Sequence, residues 1–391
     1  MNRKIRVLFL TKWYPNRYDP MPGLFIQRQA EALTPFCDVA VVYVHPDPDC
    51  KDKFEAEFSE ENEVRVLRVY YKVSNHDGSF VTKVCNLRKF YRAIQRAIHS
   101  IRDFSPDLVH AHVLTRIGFI AWKVSRERQI PLVISEHWSR YFPDNNAYRG
   151  WFRKWLTSFI VKRAAAVVTV SHSLLNAMKK CKLQNKNFRI IPNVVDTAQF
   201  SPHSSHPGQP MKTMVHISCF EDRAKNISGF LRSIKELSDK RQDFHCLMIG
   251  AGPDWQAMTE FAGSLGIADT FVSFTGIKTG NDLASLVNNA DFTVLSSFYE
   301  TFGTVVIESL SCGVPVVATA VGIAVEEINE KNGLLVPSGD EKAMTDALDR
   351  MLDMCRSYDK TMIQQGIAEK YSKEAVGNQL HALYQKVLHE Y

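Results

Sequence analysis

Between residues 292 and 318 two short apolar runs flank a helical segment, and no other stretch restricts the fold as tightly. Phe292-Thr293-Val294-Leu295 reads as a buried strand, 296–303 as a loop and 304–312 as a helix. Gly313 is the helix stop, and Val314-Pro315-Val316-Val317-Ala318 is a second buried strand. Two strands joined through a helix lie parallel, and strands apolar on both faces belong to a sheet covered on each side. The alternation recurs along the chain. Strands are predicted at 5–10, 38–43, 64–71, 108–113, 131–135, 165–170 and 188–191. Helices fall near 23–33, 80–103, 116–127, 149–163 and 173–180. After a loop at 201–210 rich in Pro, Ser and His, the pattern restarts at 214–217 and runs to Pro337, and helices near 340–353 and 373–390 close the chain. This is an α/β protein, and 391 residues suit two domains of roughly 150–200 residues better than one core.

Charge divides at the same place. Residues 1–200 carry 32 Lys and Arg against 18 Asp and Glu, and the remainder carries 16 against 24, so a basic half faces an acidic one. Between 78 and 163 the balance is 16 to 5. Lys83, Arg88, Lys89, Arg92, Arg96 and Arg102 recur along one predicted helix, and Trp151-Phe152-Arg153-Lys154-Trp155 and Phe159-Ile160-Val161-Lys162-Arg163 interleave aromatics with cations. That composition suits an anionic membrane surface or a lipid-phosphate acceptor, although cations on any single helix are more often a solvated face. Nucleic acid is disfavoured, because no binding motif accompanies the charge.

The eight cysteines are scattered without a Cys-x-x-Cys pair, which predicts free thiols in a reducing, cytoplasmic setting. No run of 18 apolar residues predicts a membrane-spanning helix, and the first apolar stretch is read as a strand. Asp47-Pro48-Asp49 reads as a turn, so neither a metal nor a cofactor is expected, and a Gly-x-Gly-x-x-Gly fingerprint is missing after the first strand.

Chemistry concentrates around Glu300-Thr301-Phe302-Gly303-Thr304 and Glu308. One carboxylate precedes a helix and the other lies about two turns inside it, while the N–H groups near Phe302, Gly303 and Thr304 favour an anion. Two carboxylates beside an anion site suit a ligand with a phosphate and several hydroxyls. Other candidates are His110 and His112, alternating on a strand, and His137, at a strand end in Ser135-Glu136-His137.

This combination resembles the retaining glycosyltransferases of family 4 ("glycosyl transferases group 1"), whose GT-B fold places two Rossmann-like parallel-sheet domains across a central cleft. The resemblance rests on Glu300 to Glu308, Cys312-Gly313-Val314-Pro315-Val316-Val317 and Asn332-Gly333-Leu334-Leu335-Val336-Pro337. Gly250-Ala251-Gly252-Pro253, Phe274-Thr275-Gly276, Ile191-Pro192-Asn193-Val194-Val195-Asp196 and Pro22-Gly23-Leu24-Phe25-Ile26-Gln27-Arg28-Gln29-Ala30 extend it.

The resemblance implies an acceptor-side domain at 1–200, a nucleotide-sugar domain at 201–372 and a final helix at 373–391 returning to the first. It implies metal-independent transfer of a hexose-type sugar from a nucleotide-diphosphate sugar to a glycan or lipid-linked hydroxyl, as in cell-surface polysaccharide or glycolipid synthesis at the inner membrane face. Glu308 would hold the ribose, and Glu300 with Phe302 and Gly303 the sugar. Lys225 and Arg223, with the loop at Gly23, would neutralise the pyrophosphate. His137 would sit beside the reacting sugar, and His110 and His112 would line the acceptor side. The family's arginine position is taken by Cys219, and a second glycine after Gly322 by Ile323. An epimerase of the same fold and a non-catalytic membrane-surface binder are the alternatives, and the carboxylate pair argues against the binder.

Overall fold

The computed structural model describes residues 3–73, 80–101, 103–114, 116–202 and 210–391. Arg102, residue 78 and positions 203–209 of the 201–210 loop lie outside the described residues.

The first sheet contains β1 (Ile5–Thr11), β2 (Cys37–Asp47), β3 (Phe54–Glu61), β4 (Val64–Lys72), β5 (Leu108–His112), β6 (Leu132–Glu136), β7 (Ala166–Thr169) and β8 (Phe188–Ile190), in the order β3-β4-β2-β1-β5-β6-β7-β8. The second contains β9 (Lys212–Cys219), β10 (Phe244–Ala251), β11 (Val272–Gly276), β12 (Phe292–Leu295), β13 (Val316–Thr319) and β14 (Gly333–Val336), in the order β11-β10-β9-β12-β13-β14. Every pairing is parallel except β3 with β4. These are two GT-B sheets, each with a strand-order switch beside its first strand, where ligands of open α/β sheets bind.

β3 corrects the expected all-parallel reading. Its sequence, Phe54-Glu55-Ala56-Glu57-Phe58-Ser59-Glu60-Glu61, lacks a buried run because it is an edge strand in a hairpin. Arg17 pairs with Glu55 at 2.9 Å and Glu57 at 3.2 Å, and Arg68 with Glu61 at 2.6 Å. A charged edge resists pairing with another chain. Arg17 also binds Asp47, which closes β2 as a buried acceptor for Tyr18 Oη at 2.6 Å. Asp47, Cys50 and Glu55 approach within ligand distance of one another, but a guanidinium occupies both carboxylates.

The helix Lys373–Glu390 buries Val376, Leu380, Leu383, Tyr384 and Val387 against the helix Leu24–Leu33 and the first sheet. Gly377 permits the approach, since a Cβ there would lie 2.1 Å from the Ala32 carbonyl oxygen. Tyr384 Oη is hydrogen-bonded to His110 Nδ1 at 2.6 Å, and Lys373 pairs with Glu31 at 3.0 Å.

Loops at the carboxyl ends of the strands hold the two sheets together. Ser171 Oγ donates to the Thr301 carbonyl at 2.6 Å, Ser173 Oγ to the Gly322 carbonyl at 3.2 Å, and His172 Nδ1 meets Glu326 at 2.7 Å. Both serines flank the start of the helix His172–Lys180, where Ser171 also caps Leu174 N–H. The second sheet's Glu300 loop is therefore positioned partly by the first.

Candidate active site

A cleft of about 730 Å³ lies between the two sheets. Trp13, Phe25, Arg28 and His137 line it from one side; Cys219, Lys225, Glu300, Phe302, Gly303, Thr304 and Glu308 line it from the other. The sequence places Gly303 at the N-cap of the helix Thr304–Ser311, with φ 89° in the left-handed region that favours glycine. The first N–H groups of that helix lack intrahelical acceptors and open onto the cleft beside Thr304 and Val305.

Lys225 ends the single helical turn Asp222–Lys225 after β9 and forms an ion pair with Glu300. Both side chains are largely enclosed, 17% and 12% exposed. Burial works against the Lys225 charge, but Glu300 and the neighbouring Cys219 and Glu221 outweigh it and raise its pKa. Ser297 Oγ donates to the same Glu300 carboxylate at 2.8 Å, and Ser296 Oγ donates to the Lys225 carbonyl at 2.7 Å. The ammonium is thus fixed and protonated.

Glu308 is buried within its helix, which pushes its carboxyl above the usual range, opposed by Arg28 at 3.4 Å. The sequence suggests no role for Arg28, although Leu24, Phe25 and Arg28 share the cleft-facing side of one helix at i, i+1 and i+4 spacing. That helix begins at Gly23, φ 75°, whose absent Cβ would otherwise strike the Trp13 carbonyl at 2.4 Å. Gly23 thereby seats the loop after β1 against the mouth of the cleft, while Met21 and Leu24 beside it supply the lining.

His137 lies at the carboxyl end of β6, with its ring 4.6 Å from that of Phe25. Burial lowers its pKa to about 3, Asn193 opposing, so the imidazole is neutral at physiological pH. His110 and His112 do not line the cleft. Period two does place both on one face of β5, but that face is covered: His110 is held by Tyr384 Oη and by Ser135 Oγ at 2.8 Å, and His112 lies behind His137 at 3.4 Å. Their expected place on the acceptor side becomes a place in the wall beneath it.

Arg223 also stands away from the cleft lining, donating to the Asn145 carbonyl across the two halves at 2.5 Å. Two positions apart on a helical turn, Arg223 and Lys225 point in different directions. Cys219 lines the cleft at the position where the resemblance implies an arginine, and Ile323 is buried, its N–H donating to the Phe302 carbonyl at 2.7 Å.

Residues 25–199 match the family described as Glycosyltransferase Family 4, and residues 211–354 that described as Glycosyl transferases group 1. The chain is 24% identical over 372 residues to TuaC of Bacillus subtilis (strain 168), assigned as a teichuronic acid biosynthesis glycosyltransferase, covering 88% of this chain and 89% of that protein. Among solved structures, sucrose-phosphate synthase from Thermosynechococcus elongatus superposes with TM-score 0.79 at 19% identity, covering 99% of this chain and all (100%) of that one. Anabaena HepE in complex with UDP and glucose gives TM-score 0.73 at 15% identity, over 98% and 100% of the two chains. The two family matches meet at the cleft just described, one on each wall, and the chain belongs to the family 4, group 1 glycosyltransferases of GT-B fold.

Proposed function

We propose that this glycosyltransferase moves a hexose-type sugar from a nucleotide-diphosphate sugar to an acceptor hydroxyl, with retention of anomeric configuration and without a metal ion, in polysaccharide or glycolipid synthesis. The observation that carries the reading is the meeting of a fixed lysine, a carboxylate pair and an open helix N-terminus on one wall of the cleft. Residues 201–372 form the donor side and 1–200 the acceptor side. A same-fold protein that contains UDP and glucose favours this class of donor.

Glu308 holds the ribose hydroxyls, and Arg28, paired with it, lies at the same end of the donor site. Glu300 and the N–H groups of Phe302, Gly303 and Thr304 hold the sugar. Lys225 takes up the negative charge that develops on the departing nucleoside diphosphate, as a preorganised cation in an enclosed site does. Arg223 does not reach the cleft in this conformation, so Lys225 carries that task with the helix N-terminus and the loop seated by Gly23. His137 acts as a neutral hydrogen-bonding group beside the sugar.

The experiment is to incubate the protein with uridine, guanosine and adenosine diphosphate sugars and follow them by NMR, with and without a chelator. The reading expects release of nucleoside diphosphate, a sugar product of the donor's own configuration, and no effect of the chelator. An epimerase would yield a second nucleotide sugar from the donor alone, and a pure binder would release nothing.

The helix Trp151–Arg163 supports a place on an anionic membrane surface, expected at the inner face. Trp151, Phe152 and Trp155 are 80%, 56% and 54% exposed, and their rings contact in series at 5.8 and 5.9 Å. Arg153, Lys154, Lys162 and Arg163 accompany them without an acidic residue in the helix. Aromatics and cations so arranged suit an anionic bilayer surface, at about 1 kcal/mol per basic residue. No helix among the described residues is long and apolar enough to cross a membrane. The protein is expected to sediment with anionic vesicles and to be released by salt, and Trp151→Ser with Trp155→Ser should weaken that binding. Sedimentation indifferent to lipid charge would remove the membrane assignment.

A further inference from the structure

Lys12 follows β1 at its carboxyl end, and its ammonium forms no ion pair or hydrogen bond among the described residues. Its Nζ lies 3.7 Å from the centre of the Trp138 ring and 5.0 Å from that of Trp13. The guanidinium of Arg140, a residue only 2% exposed, lies 4.8 Å from the same Trp138 ring, and its Nε is buried without a partner among the described residues.

Glu136, the carboxylate acting on this group, is already engaged. Its Oε1 accepts the N–H groups of His137 and Trp138 at 2.9 and 3.0 Å. Its Oε2 accepts Leu114 N–H at 3.1 Å and Tyr141 Oη at 2.7 Å, and stands 3.5 Å from Arg140.

Arg116, the first residue of the helix Arg116–Arg128, and Arg153, in the first turn of Trp151–Arg163, add to the positive field at Lys12. Neither helix has an acid in its first turn, where the dipole disfavours cations. Lys12 and Arg140 therefore share one saturated carboxylate at the carboxyl ends of β1 and β6, with Arg116 and Arg153 adding positive charge around Lys12. Burial, and after it Arg140, pull the Lys12 pKa down to about 8. The two indole rings attract the ammonium but carry no negative charge to neutralise it.

We propose that these loops form a subsite for a phosphate group on the acceptor, contacted by Lys12 with Arg140 behind it, and flanked by the Trp13 and Trp138 rings. Trp13 also lines the cleft, so a phosphate held here leaves its hydroxyl-bearing neighbour beside the donor sugar. This rests on the reading that the acceptor enters over the first sheet. It identifies the acceptor as a phosphorylated compound, soluble or lipid-linked.

The test uses the full chain with its donor side saturated by the nucleoside diphosphate that binds it. Methyl phosphate is titrated at constant ionic strength, and phosphatidylcholine vesicles with and without phosphatidic acid are presented in parallel. Lys12→Gln should weaken phosphate binding about tenfold, the loss expected for one charge-assisted contact. Arg153→Gln, at an exposed position, should cause a smaller loss, and Lys342→Gln, exposed on the helix Glu341–Met354 outside the cleft lining, none. Dependence on Lys12 in the methyl phosphate arm supports the subsite and assigns a soluble acceptor. The same dependence only with phosphatidic acid supports it and assigns a lipid phosphate. If Lys12→Gln, shown to be folded by thermal unfolding, changes neither arm, the subsite is refuted. Failure of every nucleoside diphosphate to bind would instead overturn the donor and acceptor assignment itself.

Discussion

Lys225→Met should lower turnover by about 10²–10³-fold, the cost of removing one preorganised group from a site where transition-state charge develops. Lys225 is enclosed, fixed by Glu300 and held protonated by it; Lys278 also lines the second-sheet wall but forms no ion pair with Glu300 among the described residues. Arg223 is occupied by the Asn145 carbonyl, and Arg28 by Glu308. The variant also leaves Glu300 enclosed with Ser297 as its remaining donor, which costs about 1–3 kcal/mol of stability. A double variant, Lys225→Met with Glu300→Gln, separates the two effects. Stability measured by urea unfolding should recover in the double variant while nucleoside diphosphate release stays low. Turnover of the single variant within a few-fold of wild type would place the charge stabilisation elsewhere.

Stability should fall steeply as pH drops from about 6.5 towards 3. His110, His137 and His216 are buried and held down to about 3, and His112 well below its ordinary value. Desolvation is the leading cause in all four, with His137 and His110 adding charge repulsion within the cluster and Lys225 acting on His216. Each residue ordinarily titrates near 6.5, so below that pH the unfolded chain binds protons that the folded chain refuses. Stability is present above 6.5 and lost on acidification, at about 1.4 kcal/mol per pH unit per histidine, or about 5 for four as a limiting slope. Urea midpoints at pH 7.5, 6 and 5 would show it. Carboxylates held low by ion pairs, such as Asp243 beside Arg241, titrate below this window and do not confuse it. A midpoint unchanged between pH 7.5 and 5 would contradict neutral burial of the cluster.

Regular alternation was legible in the sequence because parallel strands buried on both faces carry continuous apolar runs. The stretch from Phe292 to Ala318 folds as β12, the helix Thr304–Ser311 and β13, and the carboxylates read from it reach one wall of the cleft. β3 was not legible, since an acidic edge strand has no buried face to mark it. Period two correctly put His110 and His112 on one face, yet it carries no information on what covers that face, and Tyr384 lies 274 positions further on. The direction of Arg223 depends on a backbone contact with Asn145, 78 positions away, and the pairing of Arg28 with Glu308 spans 280. Lys12 gave no signal at all, because its place beside Trp138 and Arg140 is a property of loops that meet only in the fold.

A nucleotide-diphosphate sugar is expected to bind on the wall built by Glu308, Lys225 and the start of the helix Thr304–Ser311. Calorimetric titration of wild type and Glu308→Ala with uridine, guanosine and adenosine diphosphates decides it. One of the three should bind wild type, and the Ala variant, checked for folding, should lose about 1.5–3 kcal/mol of that affinity, the worth of a hydrogen bond to a charged group. An affinity unchanged by Glu308→Ala, or no binding of any of the three to wild type, would contradict it.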